Sequence, residues 1–326
     1  MPKVSVIMPV FNGETYIEEA IASVLSQTMS DLELIVVNDG STDDTLSVVQ
    51  GCIECDNRVR VINRANSGRP SFPKNDGIAA AKGQYISFLD HDDLYDPDRV
   101  QSLADELERH PQWVAAFHDL RLITSDGDKI PGSYLADSAF VTQAKEYLMP
   151  LKNDWFECGD SFYIFQSMVF AALHTQSVII AADRVPREAL LFDTQFTICD
   201  DTDFWIRLGL MGQIGYLNRV LSSYRQHDSS ITRNREKFLI DSILLHVHNF
   251  ERILSRLSPK QIRQYRTKIG RYISELGYFR YDHQDLSGAR ASYRDSLRWA
   301  FNKEALLGFT KSCLPKNLLR QLRSTN

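Results

Sequence analysis

Residues 32–38, LELIVVN, decide the fold. Leucine, isoleucine and valine dominate the run, which stops at the turn signal Asp39-Gly40-Ser41. A strand that reads as a near-continuous apolar run has both faces covered, and that condition belongs to parallel sheets flanked by helices. Upstream, residues 3–9 (KVSVIMP) alternate and are rich in β-branched side chains, the pattern of another strand. Asn12-Gly13 breaks it, and residues 14–27 follow with Ile17, Ala20, Ile21, Val24 and Leu25 at helical spacing. Downstream, Thr42 or Asp43 is placed to cap a helix running to about residue 51. Residues 58–63 read as a third strand, 75–82 as a helix with Gly83 as its C-cap, 84–89 as a fourth strand and 97–109 as a further helix. This β-α-β-α-β-α-β rhythm predicts a Rossmann-like, mostly parallel sheet with crossover helices, an α/β fold of the nucleotide-binding type.

Beyond residue 110 the regularity loosens. Residues 113–124 read as a strand ending at Ser125-Asp126-Gly127-Asp128, 177–182 as a strand, 201–211 as a helix and 214–224 as a strand. Residues 131–172 are aromatic-rich and irregular. After residue 233 the pattern is helical almost throughout, punctuated at Pro259, Ser287-Gly288 and Pro315. Residues 284–300 hint at one tetratricopeptide-like hairpin, but a single copy is no repeat array and plain helical packing explains it.

Composition narrows the classes. Five cysteines, at positions 52, 55, 158, 199 and 313, are an odd number without a secretory framework and point to a reduced, cytoplasmic setting. Cys52 and Cys55 form a CxxC that lacks the second pair or histidine a zinc site needs. The chain enters a strand pattern at once, so no signal peptide is expected, and no apolar stretch of ~18 residues predicts a membrane helix. The net charge of −5 hides an asymmetry: residues 1–232 carry −16, and residues 233–326 carry +11. An acidic body argues against nucleic acid as a partner. The basic tail suits an anionic surface, either the body itself or a membrane.

The stretch FLDHDDLYDP (88–97) puts Asp90, Asp92, Asp93 and Asp96 directly after the fourth strand. In an open α/β sheet that is where ligands bind. Two carboxylates spaced D-x-D on a turn can converge on one hard divalent cation, whose other ligands are phosphate oxygens. Asp93 or Asp96 could instead cap the helix near Pro97, but a cap needs one acid, not four. A haloacid-dehalogenase phosphatase would want D-x-D-x-[TV] after its first strand; here Leu94 follows a fourth strand.

The blocks VSVIMPVFNGETYIEEAIASVLSQ (4–27), LELIVVNDGSTDDT (32–45), KGQYISFLDHDDLYDPDRV (82–100), CDDTDFWIRLGLMG (199–212) and YRQHDSSIT (224–232) resemble, in order, the family 2 glycosyltransferases of the GT-A fold. The resemblance implies a GT-A domain over 1–232, with a nucleotide-binding half at about 1–110 and an acceptor-side half at about 111–232. A helical, basic region, 233–326, follows. It implies that Pro9, Val10, Phe11 and Asn12 line the base and ribose pocket and that Asp39 hydrogen-bonds a uracil-type base. Asp92 would hold Mn²⁺ or Mg²⁺ against the diphosphate, with Asp90 beside the ribose or sugar and His227 near the diphosphate or metal. Asp200-Asp201 matches the family's Glu-Asp pair, with Asp201 as general base, and Arg207 orients acids by ion pairing. The implied reaction is inverting and metal-dependent: a sugar passes from a nucleotide-diphosphate donor, a UDP-sugar foremost, to a glycan or lipid-linked acceptor in cell-surface polysaccharide synthesis.

One block departs from the family pattern N-x-G…A-R-N-x-G. Here residues 66–77 read NSGRPSFPKNDG, with Lys74 where an arginine is common and the loop one residue longer. Lysine supplies charge to a phosphate but no bidentate fork, a role Arg69 could fill. The processive synthases' Q-x-x-R-W motif and membrane helices are missing, so one sugar per encounter is expected. Two other readings stay open. A sugar nucleotidyltransferase would want a G-x-G-T-R-type loop where Val10-Phe11-Asn12-Gly13 stands, and a catalytically impaired nucleotide-sugar-binding protein is at odds with intact acids at 39, 90, 92 and 201. The aromatics of 131–172 serve either as stacking platforms for acceptor sugars or as local core. The tail 304–323 combines leucines with Lys311, Lys316, Arg320 and Arg323, and suits either a peripheral contact at the inner face of the plasma membrane or docking on the body or on a second copy.

Overall fold

Strands and helices alternate up to Arg109 as the hydrophobic pattern requires: β1 (Val4–Val10), α1 (Ile17–Leu25), β2 (Leu32–Asn38), α2 (Thr45–Cys55), β3 (Val59–Asn63), α3 (Ser71–Ala80), β4 (Tyr85–Phe88), the two-residue β5 (Leu94–Tyr95) and α4 (Arg99–Arg109). Next come β6 (Trp113–Ile123), α5 (Tyr134–Asp137), α6 (Phe140–Gln143), β7 (Leu148–Pro150), β8 (Trp155–Cys158), α7 (Phe162–Met168), β9 (Val178–Ala181), α8 (Asp200–Leu208) and β10 (Gln213–Arg225). The structure is a computed structural model, and it describes residues 1–227 and 234–313.

The strands form one ten-stranded sheet in the order β3-β2-β1-β4-β9-β6-β10-β8-β7, with β5 added to β10. β3, β2, β1 and β4 run parallel, in the register that sets Val10 opposite Asn38 and Phe88 opposite Ile7. Their carboxyl ends therefore open on one rim. β9 enters antiparallel between β4 and β6, while β6 and β10 are parallel to each other. Alternate residues of β1 serve opposite faces: Val6 and Met8 join the core beneath α1 and α4, and Ile7 joins the core that receives α3 and α8.

Several boundaries differ from the sequence pattern. α2 begins at Thr45, and its N-cap Asp44 makes no side-chain bond; Thr42 binds the loop after β1, while Asp43 is shared between the Glu14 N–H of that loop and the Thr45 N–H. α3 starts at Ser71, four residues early, since Pro73 lies in the first turn, where a missing N–H costs nothing. Gly83 does not cap it; the C-cap is Ala81 in extended conformation. A Cβ on Gly83 would lie 2.5 Å from the Ser5 backbone nitrogen, so this glycine permits close approach to β1. Neither Asp93 nor Asp96 caps α4, whose N-cap is Asp98 without a side-chain bond. Asp96 pairs with Arg121 at 2.6 Å.

The aromatic segment is mostly interior. Phe140 and Phe162 are buried against Phe117 on β6, Phe140 also meets Tyr216 on β10, and buried Phe165 packs on Phe140. Trp155 lies against Trp113, whose indole N–H donates to Glu157 at 2.8 Å. These rings are core, not sugar platforms.

The chain divides into two compact units, Met1–Ser230 and Ile231–Asn326. In the second, α9 (Arg235–Ile253), α10 (Pro259–Asp282), α11 (Leu286–Trp299) and α12 (Lys303–Ser312) pack together. Ser258 and Gln261 make a capping box with Pro259 at the first position of α10, and Tyr293 packs against Gly277 and Gly308. α10 and α11 form a plain helical hairpin. Among the described residues no helix is long and apolar enough to cross a membrane. Lys316, Arg320, Arg323 and the leucines from Leu314 onward lie outside the described residues, as does 228–232 of the YRQHDSSIT block.

Candidate active site

The rim at the carboxyl ends of β1, β2 and β4 collects the side chains singled out above. Near the end of β1 Pro9 is buried, and just beyond the strand Phe11 stands 46% exposed. Asn12 takes a positive φ of 51° so that its side-chain oxygen can accept from the Thr42 N–H at 2.9 Å, while its own N–H donates to Ser41 Oγ at 3.0 Å. The Gly13 N–H donates to Thr45 Oγ1 at 2.8 Å. Loops 11–14 and 41–45 are thus buttoned together. A Cβ at Gly13 would lie 2.4 Å from the His91 ring, which brings the acidic turn directly onto the first loop.

Asp39, 4% exposed, is wrapped by the departing block. It accepts from Ser67 Oγ at 2.8 Å and pairs with Arg64 Nε at 3.0 Å, and Asn66 donates to its backbone carbonyl at 2.9 Å. Gly40, at φ 73°, makes room for Asn66. Arg69 donates to the Thr194 carbonyl, and Asn75 is bonded in both directions to the Phe192 backbone. The longer loop therefore holds the strap 192–194 that leads into α8.

Lys74 lies in α3, 3% exposed, with Nζ 3.0 Å from Asp200 Oδ2 at the start of α8 and over the Phe192 ring. Burial works to lower its ammonium, but Asp200, Asp90 and Asp201 outweigh burial and hold it above its ordinary value. The same burial pushes Asp200 and Asp90 each up to about 6, although Lys74 opposes the rise in both. Asp201 is raised too, again by burial against Lys74. Its Oδ1 accepts from the Thr202 N–H at 2.6 Å, and Thr175 Oγ1 stands 3.5 Å from Oδ2. Burial and the Asp201 charge push the nearby Tyr134 phenol up to about 12. One ammonium therefore links the acidic turn after β4 to the acid pair of α8.

Asp92 behaves in the opposite way. Burial works upward, but His227 Nε2, 2.7 Å from Oδ2, outweighs it and holds the carboxyl below its ordinary value. Asp93 is fully buried; its Oδ1 accepts the Arg225 N–H at 2.9 Å, and Oδ2 has no partner among the described residues. Burial, Asp92 and Asp90 raise it well above its ordinary value, and so the structure favours its neutral form. Arg207 pairs with Asp203 at 2.7 Å and donates to the Ala189 and Leu191 carbonyls, which fixes α8 to the strap. Sequence reasoning missed Arg225, Glu19 and Thr175, and took Tyr134 only as one of the aromatics of 131–172. Only Arg225 carried a signal, as a charge at the end of an apolar strand.

With this geometry in view, the comparisons are decisive. The family model for Glycosyl transferase family 2 matches residues 5–170. The chain belongs to that family. As a family 2 glycosyltransferase it is 44% identical over 249 residues to the uncharacterized glycosyltransferase EpsJ of Bacillus subtilis, covering 75% of this chain and 67% of EpsJ. Its fold matches S. aureus TarS 1-349 in complex with UDP-GlcNAc with a TM-score of 0.65 at 17% identity, covering 99% and 92% of the two chains. It spans 53% of the longer TarS structure. Mannosyltransferase PcManGT from Pyrobaculum calidifontis, in complex with GDP-Man and Mn2+, matches with a TM-score of 0.58 at 16% identity, covering 99% and 84%. The protein is a glycosyltransferase with the α/β architecture expected of the GT-A class.

Proposed function

We propose that this glycosyltransferase moves a single sugar per encounter from a nucleotide-diphosphate donor, a UDP-sugar first, to a hydroxyl of a glycan or lipid-linked acceptor, with inversion, in cell-surface polysaccharide synthesis. The observation that carries the reading is Lys74, whose buried ammonium joins Asp200 and Asp201 to Asp90 across more than a hundred positions of sequence. Base and leaving-group carboxylates gather at one rim, as a displacement at the sugar C1 requires.

Asp201 is the general base. Its raised proton affinity suits it to take the proton of an attacking hydroxyl, and Thr202 and Thr175 fix its carboxylate. Asp200 and Lys74 hold the first turn of α8, so that Asp201 keeps one orientation. Asp39 and the buttoned loops 11–14 and 41–45 form the nucleotide side.

A divalent cation fits the donor set. Among the described residues no three His, Cys, Asp or Glu side chains can hold a metal alone, but Mg²⁺ and Mn²⁺ need only one or two carboxylates when a diphosphate supplies the rest. Asp92, with Asp90 and His227 beside it, would hold the ion; when bound, it supplies positive charge for the departing diphosphate. The hydrogen bond from His227 keeps Asp92 ionised and ready for it.

The test is donor turnover with a panel of nucleotide sugars, beginning with UDP-GlcNAc and GDP-Man, with and without Mn²⁺. Asp201→Asn should lose transfer and keep donor binding; full transfer by that variant would refute the base assignment. Asp92→Ala should lose Mn²⁺-dependent donor binding at an unchanged melting temperature.

A further inference from the structure

Arg225 ends β10 with its side chain only 2% exposed, and its donors are spent on three separate segments. Nε donates to the Asp92 carbonyl at 2.9 Å, Nη1 to the Ser125 carbonyl at 2.9 Å and Nη2 to Glu19 Oε2 at 2.7 Å. Its backbone N–H donates to Asp93 Oδ1 at 2.9 Å, and the guanidinium lies over the Tyr16 ring, 4.7 Å from its centre. Two residues later His227 meets the Asp92 carboxylate and packs on the same Tyr16 ring. β5 adds a further tie, pairing Ser222 with Tyr95 and Ser223 with Leu94.

We propose that Arg225 is a positioning residue for the transfer reaction, fixing the conformation of the turn 90–93, and hence the aim of the Asp92 carboxylate, by fastening that turn to α1 and to the loop after β6. The inference rests on the reading of Asp92 given above. The chemistry selects arginine: a planar fork with five donors can serve two carbonyls and a carboxylate lying in different directions, whereas lysine offers one point of charge. A hydrophobic residue at this depth would fill the space but leave the Asp92 and Ser125 carbonyls unpaired. The one carboxylate among the guanidinium's acceptors, Glu19, is itself 58% exposed, so the fork's rigidity comes from packing and carbonyls more than from the ion pair.

The test compares full-length wild type, Arg225→Lys and Glu19→Gln by hydrogen exchange without ligands and by calorimetric Mn²⁺ titration in the presence of UDP. The expected result for Arg225→Lys is faster exchange confined to amides 90–93 and the loop after β6, with Mn²⁺ binding weaker by about 10- to 100-fold, the range seen when groups that orient metal ligands are removed. Glu19→Gln should show the same pattern, smaller, with its melting temperature unchanged. Exchange at 90–93 and Mn²⁺ binding both as in wild type, in a folded Arg225→Lys, would overturn the proposal. So would a uniform rise in exchange with a lowered melting temperature and unaltered Mn²⁺ binding, the mark of a merely structural residue. If Arg225→Lys does not fold, Glu19→Gln decides by the same criteria. If wild type binds no Mn²⁺ with UDP, the functional reading fails, and local exchange still decides whether Arg225 holds the turn.

Discussion

Replacing Lys74 by methionine keeps the length of the side chain and deletes its charge, and the outcome separates two roles. In the structure Nζ lies 3.0 Å from Asp200 Oδ2, and Asp90 and Asp201 also bear on it. With charge centres ~4 Å apart and an effective dielectric of ~20, the lost attraction is about 4 kcal/mol, or about 3 pH units on Asp200. Asp200 begins at about 6 with Lys74 present, so without it the carboxyl is protonated at neutral pH, and Asp201 moves in the same direction. The acidic limb of the kcat profile should therefore move up by 1 to 3 pH units, on the order of the Coulomb figure. With a starting point of about 6, kcat at pH 7 should fall roughly 2- to 100-fold and recover in alkali. Lys74→Arg should leave the limb nearly in place. The assay is single-sugar transfer at saturating donor from pH 5.5 to 9.5. A limb that stays put while the donor KM rises would refute this reasoning and make Lys74 a phosphate ligand, as the sequence suggested.

Gly77→Ala should destabilise the protein by about 1–3 kcal/mol in urea unfolding, since the new Cβ would lie 2.3 Å from Ile7 Cγ2 and would push α3 off β1. His174 is held neutral by burial, down to about 4. Its folded value lies below the ~6.5 of the unfolded chain, so its contribution is complete above pH 6.5 and is lost as pH falls towards 4, by about 3 kcal/mol. Urea titrations at pH 7 and pH 4.5 should show His174→Phe losing correspondingly less stability than wild type on acidification. Ser67→Ala removes the hydroxyl that donates to Asp39, and should raise the donor KM severalfold with little change in kcat.

Much of this was legible in the sequence because single residues carried unambiguous physics. The apolar run of β2 and the alternation of β1 required a covered sheet. The acids at 90 and 92 had no structural reason to cluster after a strand end, and Asp200-Asp201 stood out through the family resemblance. What the sequence left open was mostly tertiary. Nothing local distinguishes Lys74 as a phosphate ligand from Lys74 as an internal counter-ion; its burial and the approach of α8 support the second role, and the kcat profile above tests it. Gly83 looked like a helix cap because its role in approaching β1 depends on a partner strand far away. Phe140, Phe162 and Phe165 read equally well as platforms or as core until β6 and β10 were seen to lie over them.

The placement of β9 has a practical consequence for anyone wishing to dissect the molecule. Since β4 is flanked by β1 on one side and by β9, nearly a hundred positions later, on the other, a fragment stopped at residue 110 would leave β4 with bare amides and carbonyls along one edge. Such a fragment should aggregate instead of binding nucleotide, and the smallest workable piece has to run through β10.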